Sequence, residues 1–223
     1  MTETSPLGPH ILFHVGPLPI AQEVATTWAI MALLALVAWI GTLRLRDQPG
    51  RWQMVLESVV AAVSNQIRDI VHADATRLFP LIATLFLFIA VANLSGLVPG
   101  VAAPTASIET PVALGVIVFF AIHFYGIRKQ GLGAYLRGYL KPTPLMLPLN
   151  VLSEFTRIFS LMIRLFGNIM SHEFVIGVIL SLAGLLVPIP FMALAILIGL
   201  IQAYIFTVLA TVFIGAGLGA IER

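Results

Sequence analysis

SEFTRIFSLMIRLFGNIMSHE, residues 153–173, decides how the rest of the chain is read. It opens an apolar run that continues to Leu186, yet it carries Glu154, Arg157, Arg164, Asn168, His172 and Glu173. An arginine stays protonated at any accessible pH, so Arg164 cannot escape a burial cost by losing its proton. At a bilayer centre that cost is about 2.5–3.5 kcal/mol on insertion scales. A sequence that keeps such a charge in such a run uses it. With Arg164 as the zero of a helix turning about 100° per residue, Arg157 falls near +20°, Asn168 near +40°, Ser160 near −40°, and Ser153 and Ser171 near −20°. One helix face is therefore a polar stripe. Glu154 and His172 flank it at about 80°, whereas Glu173 lies about 180° from Arg164 and must serve a different surface. An ordinary polar seam between helices accounts for the serines and Asn168, but badly for Arg164.

Composition agrees with a membrane setting. The 223 residues are 59% hydrophobic and 10% charged, with mean hydropathy +1.02, against about 25% charged in soluble domains. A single integral membrane domain over residues 1–223, without a soluble module, is expected. Cysteine is absent, which removes disulfides, thiolate nucleophiles and cysteine metal sites. The start, MTETSPLGPH, lacks the basic segment of a secretory signal.

In chain order, residues 1–21, with Pro, Gly, His10 and His14, read as a flexible or surface-lying tail. Residues 23–43 form a first span with Trp28 and Trp39 suited to interfacial belts, closed by RLRDQPGR. Residues 52–71 repeat apolar positions at helical spacing, interrupted by Glu57, Asn65, Arg68 and Asp69, the pattern of a helix lying at the membrane surface. A second span covers 77–98, with Pro80 in its first turn and Asn93 and Ser95 as packing groups near its end. Residues 101–111 are a short loop holding Glu109, and 112–127 a third span in which His123 faces either a helix partner, the favoured reading, or an ion path. Residues 128–147 are a Gly- and Pro-rich basic connector. Two long helices follow, about 148–186 and 191–217, joined by a turn at VPIP. The first of them, about 55 Å long against a core of about 30 Å, must tilt strongly or break. The expected fold is all-α: about five transmembrane helices, one interfacial amphipathic helix and a long, steeply tilted C-terminal hairpin over 148–219.

Charge gives the orientation. With the N-terminus outside, Arg44, Arg46, Arg51, Arg68, Arg77, Arg128, Lys129, Arg137, Lys141 and Arg223 all fall on the cytoplasmic side, and Arg157 and Arg164 lie within the fourth span. The outer segments carry no basic residue, as the positive-inside rule requires. Along the fourth helix Glu173 lies about 13 Å beyond Arg164 and Glu154 about 15 Å before it.

RLFGN at 164–168, FPLIATLFLFIAVANLSGLVPG at 79–100, PLNVLSEFTR at 148–157 and LIQAYIFTVLATVF at 200–213 occur in order with the matching hydrophobic framework. In these motifs the chain resembles subunit a, the membrane stator of rotary F-type ATP synthases, over most of its length. The resemblance implies a non-catalytic, ion-translocating subunit without cofactor or metal. Its implied partners are a rotor ring of c subunits, peripheral-stalk b subunits, the rest of the complex and membrane lipid, with no nucleic acid, in a bacterial inner membrane. It implies that Arg164 separates two aqueous half-channels and drives ion exchange on the ring carboxylates. Glu173, His172 and Asn168 would line the outer path, Glu154 would mark the inner one, and Gln202 would be the polar neighbour of the arginine. Three positions depart from the family pattern. Ser107 stands where an Asp is frequent, and Glu109 two residues on is either its substitute or simply solvated. Ile158 replaces a usual proline, and Ala195 replaces a polar partner of Glu173, a role adjacent His172 would take over. Tyr204, Thr207 and Thr211 read as packing. Proton and sodium remain open as the coupling ion. The main alternative, a free-standing secondary ion transporter, would ordinarily show inverted repeats. An intramembrane enzyme would need a nucleophile with a base, or a metal cluster. No such feature is visible in the sequence.

Overall fold

The computed structural model describes residues 11–15, 18–43, 50–71, 75–98, 101–140, 145–184 and 187–219. His10, Arg44, Arg46, Lys141, Leu186 and Arg223, used in the reading above, lie outside them. Among the described residues seven α-helices follow a short antiparallel pair of strands, β1 (Ile11–Val15) and β2 (Leu18–Ala21). The pair lies within the segment expected as a flexible or surface-lying tail, and Ala21 leads directly into α1 (Gln22–Leu43). Otherwise the architecture is that of an all-α membrane protein. Among the described residues five helices are long and apolar enough to cross a bilayer: α1, α3 (Ala75–Ser95), α4 (Glu109–Gln130), α6 (Met146–Ala183) and α7 (Pro188–Gly217).

The amphipathic segment forms α2 (Arg51–Ile70), in which Val63 and Ile67 are buried and Met54, Leu56 and Val60 are exposed. α3 and α7 make the central pair. Leu78, Ile82, Leu85 and Ile89 of α3 are buried in one core with Phe206, Ala210 and Ile214 of α7. Between apolar helices in lipid, close packing and buried hydrogen bonds replace the hydrophobic drive. Asn93 supplies such a bond, donating to the Gly199 carbonyl of α7 at 2.9 Å and accepting from the Thr105 hydroxyl at 3.0 Å. It is the packing group the sequence suggested, and it ties α3, α7 and the 3-10 turn Pro104–Ala106 together.

Three boundaries differ from expectation. α3 starts two residues early, so Pro80 lies inside the helix, and Thr84 Oγ1 donates to the Pro80 carbonyl at 2.7 Å. The connector is partly helical, as α5 (Leu132–Leu140). The final hairpin does not turn at VPIP. α6 stops at Gly184, whose φ of 75° is a left-handed conformation that glycine adopts at little cost. Pro188 then opens α7, because a first-turn proline gives up no helical hydrogen bond. α6 itself is unbroken over 38 residues.

Candidate functional site

α6 presents two faces. Ile158, Leu161, Leu165 and Ile169 recur at helical spacing and are buried. Ser153, Arg157, Ser160, Arg164 and Ser171 are exposed. Ser153, Ser160 and Arg164 of the polar stripe are thus exposed off the helix core, while Arg157 and Asn168 reach α7.

Arg164 lines a cleft of about 460 Å³ between α6 and α7, together with Ser153, Arg157, Ser160 and Phe213. No carboxylate among the described residues stands within ion-pair reach of its guanidinium. Arg157, two turns earlier, lies over the Phe213 ring at 5.7 Å, a cation–π contact with α7. One turn beyond Arg164, Asn168 donates to Gln202 Oε1 at 3.3 Å. Gln202 is buried on α7, so an amide pair joins the two long helices one turn from the arginine.

A second cleft, of about 600 Å³, shares Ser153, Arg157 and Phe213 with the first and adds Tyr139, Asn150 and Glu154. Here Glu154 Oε2 accepts a hydrogen bond from the Tyr139 hydroxyl at 2.5 Å. Tyr139 has spent its one proton on Glu154, so Tyr135, 2.9 Å away, donates to it. Glu154 Oε1 is buried without a hydrogen-bond partner and lies 3.8 Å from His123 Nδ1. That nitrogen also lies 2.9 Å from the Phe119 carbonyl, which can only accept, so Nδ1 carries a proton. Burial, then the hydrogen bonds to Glu154 and Tyr135, push the Tyr139 hydroxyl above its ordinary pKa near 10. It stays protonated, a fixed donor.

Glu173 belongs to the other end of α6. Its Oε1 lies against Gly96, 3.5 Å from where a side chain there would begin, and its carboxylate meets the Ala103 backbone. Unbroken α6 thus holds one acid toward α5 and one toward the Pro104–Ala106 turn, with Arg164 between them.

The remaining candidates are not drawn into these groups. His172 is half-buried and Glu109 is exposed, and neither bonds another candidate among the described residues. Glu109 is the first residue of α4, not part of a loop, where a negative charge suits the helix dipole. Thr207 and Thr211 are buried and donate to Ala203 and Thr207 carbonyls of their own helix, as packing residues do. Tyr204, expected to pack, is instead exposed. Ile158 is buried and Ala195 half-buried.

Sequence reasoning missed α5 with Tyr135 and Tyr139, and it favoured packing over the ion path for His123. The available signal was YLRGY at 135–139, two tyrosines one helical turn apart, hidden among the glycines of the connector.

The sequence matches the family model described as ATP synthase A chain over residues 24–215. It is 57% identical to ATP synthase subunit a 2 of Bradyrhizobium sp., an alignment covering 99% of each chain. Against ATP synthase subunit a 2 of Pelobacter propionicus identity is 47%, over 95% of this chain and 92% of the relative. Against ATP synthase subunit a of Legionella pneumophila it is 42%, over 96% and 93%. An all-α membrane bundle with matches over nearly its whole length leaves one conclusion: the chain belongs to the ATP synthase A chain family, the membrane subunits a of F-type ATP synthases.

Proposed function

We propose that this subunit is the ion-translocating stator of its complex, with Arg164 working on the carboxylates of a c-subunit ring that passes along the α6–α7 face. The observation that carries the reading is the exposure of Arg164 in a cleft, on a helix of spanning length, with no carboxylate among the described residues to neutralise it. An unpaired guanidinium at membrane depth is costly unless a partner supplies the negative charge.

A ring carboxylate arriving at Arg164 is held ionised, because a neighbouring positive charge lowers a carboxyl pKa. It releases its proton or sodium ion there. A protonated carboxyl can turn toward lipid and an ionised one cannot, so exchange is forced to occur on either side of the arginine. Glu154 serves the cytoplasmic path and Glu173, with His172 and Asn168, the outer one; the guanidinium between them blocks a direct leak. Glu109 adds a negative charge to the outer mouth. Gln202 holds Asn168 and so fixes the α6–α7 spacing beside Arg164. The N-terminus lies outside and the C-terminus in the cytoplasm of a bacterial plasma membrane, by the distribution of Lys and Arg, and peripheral-stalk b subunits hold the subunit against the torque.

The test is Arg164→Lys in the whole complex. A point-charge ammonium lacks the planar, delocalised fork of arginine. ATP-driven pumping in inverted membrane vesicles falls to background while the amount of assembled complex is unchanged; normal pumping refutes the role.

A further inference from the structure

Two independent attachments hold α5 to α6. Asn150 Nδ2 donates to the Tyr139 carbonyl at 2.9 Å, and one turn further along the same helix Glu154 accepts from the Tyr139 hydroxyl. The other tyrosine is seated just as firmly. Tyr135 is buried and crosses His123 edge-on, with ring centroids 5.9 Å apart. Its ring lies so close to Gly126 of α4 that a Cβ there would stand 2.5 Å from Cε2. Glycine at 126 is what admits the ring. A nine-residue helix in a connector is thus docked through a chain of two hydroxyls that ends on one carboxylate.

The two oxygens of that carboxylate differ. Oε2 is taken by Tyr139; Oε1 is buried without a hydrogen-bond partner, 3.8 Å from His123 Nδ1, in a side chain that lines the cleft shared with Arg157. We propose that Tyr139 is a positioning residue for Glu154, holding Oε2 through a hydroxyl chain begun by Tyr135 so that Oε1 is the atom that takes up and releases protons on the cytoplasmic path. The inference rests on the ion path assigned to Glu154 above, and it takes the proton as the transported ion. In the step, a hydronium ion in the cleft gives its proton to Oε1, an O–H bond forms on Glu154, and water remains. The reverse transfer to the next water restores the carboxylate, with no other reactant consumed. Tyr139 exchanges no proton. It fixes the carboxyl plane, and burial keeps its own hydroxyl protonated.

The titratable groups facing Glu154 are His123 from α4, Tyr135 and Tyr139 from α5, and Arg157 from its own helix. α7 lines the cleft with Val212, Phe213, Ala216 and Gly217, none of which titrates.

The experiment compares Tyr139→Phe, Tyr135→Phe and Glu154→Gln with the native protein in the intact complex. It measures ATP-driven proton pumping by inverted vesicles from pH 6 to 9 and the amount of complex in the membrane. Tyr139→Phe keeps the ring and loses only the hydroxyl. Pumping falls about tenfold and its pH profile shifts, because Oε2 loses the donor that fixes the carboxyl plane. Tyr135→Phe moves the profile the same way by a smaller amount. A Tyr139→Phe complex with native rate and profile overturns the proposal, and if Glu154→Gln still stops pumping, the path through Glu154 stands without it. If Tyr139→Phe does not assemble, Tyr135→Phe decides: a shifted profile supports the hydroxyl chain, and an unchanged one overturns it. Native pumping by Glu154→Gln removes the path itself.

Discussion

Gly115 and Met162 set the distance between α4 and α6, and the distance sets where Arg164 stands. A Cβ added at Gly115 would lie 2.5 Å from Met162 Cε, 2.7 Å from Cγ and 3.3 Å from Sδ. Carbon atoms in contact prefer about 3.5–4.0 Å, so Gly115→Ala is short of room by about 1 Å. The terminal Cε of methionine can swing aside, but Cγ sits next to the backbone of α6 and moves only with a new χ1 or with the helix. Overpacking of this kind costs about 1–3 kcal/mol, and alanine in place of glycine within a helix returns about 1 kcal/mol. The net effect on stability is small, and the complex assembles. Function is more sensitive. Met162 faces α4, and Arg164, about 200° further round the helix, points nearly the opposite way. A push at Met162 drives the guanidinium outward by up to the overlap, and a misplacement of about 1 Å can lower a positioned reaction as much as 100-fold. With the flexible methionine absorbing part of the strain, Gly115→Ala lowers ATP-driven pumping about tenfold at an unchanged level of complex. Met162→Ala in the same chain removes both close atoms and restores pumping to within about twofold of native. Quenching of a pH-sensitive dye in inverted vesicles, normalised to an immunoblot of the subunit, measures both. Native pumping by Gly115→Ala, or a double variant no better than the single one, refutes the reasoning.

Two further expectations concern the supports of the site. Asn93→Leu removes two buried hydrogen bonds between α3, α7 and the Pro104–Ala106 turn; at about 0.6 kcal/mol each for bonds within a bilayer, the loss is about 1 kcal/mol plus any overpacking, read as a lower midpoint in thermal unfolding of the detergent-solubilised complex, and an unchanged midpoint counts against the role of Asn93. The raised pKa of Tyr139 makes α5 docking sensitive to alkali. Folded Tyr139 stays neutral while the undocked side chain ionises near pH 10, so the docking is fully present below that pH and weakens as pH rises through it. Hydrogen exchange at α5 amides quickens above about pH 10 in the native chain, and equal pH dependence in Tyr139→Phe would contradict this.

Much of the molecule is readable along the chain because membrane physics is one-dimensional. Apolar runs long enough to cross a bilayer give the five spans, and interruption of such a run by charge gives the surface pattern of α2. Helical periodicity alone puts Ser153, Arg157, Ser160 and Arg164 on one stripe. The hairpin boundary was misread because VPIP looks like a turn, whereas a proline is tolerated in a helix's first turn and the left-handed Gly184 makes the actual stop.

Which way the stripe faces is a matter of what the other side of α6 packs against. Ile158, Leu161 and Leu165 are buried among the other helices, and so Arg164 is turned off the chain. Periodicity cannot state that, since it gives angles relative to the helix and not to its neighbours. The same holds for the cluster at Glu154. His123, Tyr135, Tyr139 and Glu154 come from three helices, and their meeting depends on how a short helix folds back across α4 and α6. The sequence by itself determined which helices form and which residues share a face, because both are local consequences of hydropathy and backbone geometry. Tertiary packing alone decided which face is covered and which side chains from different helices meet.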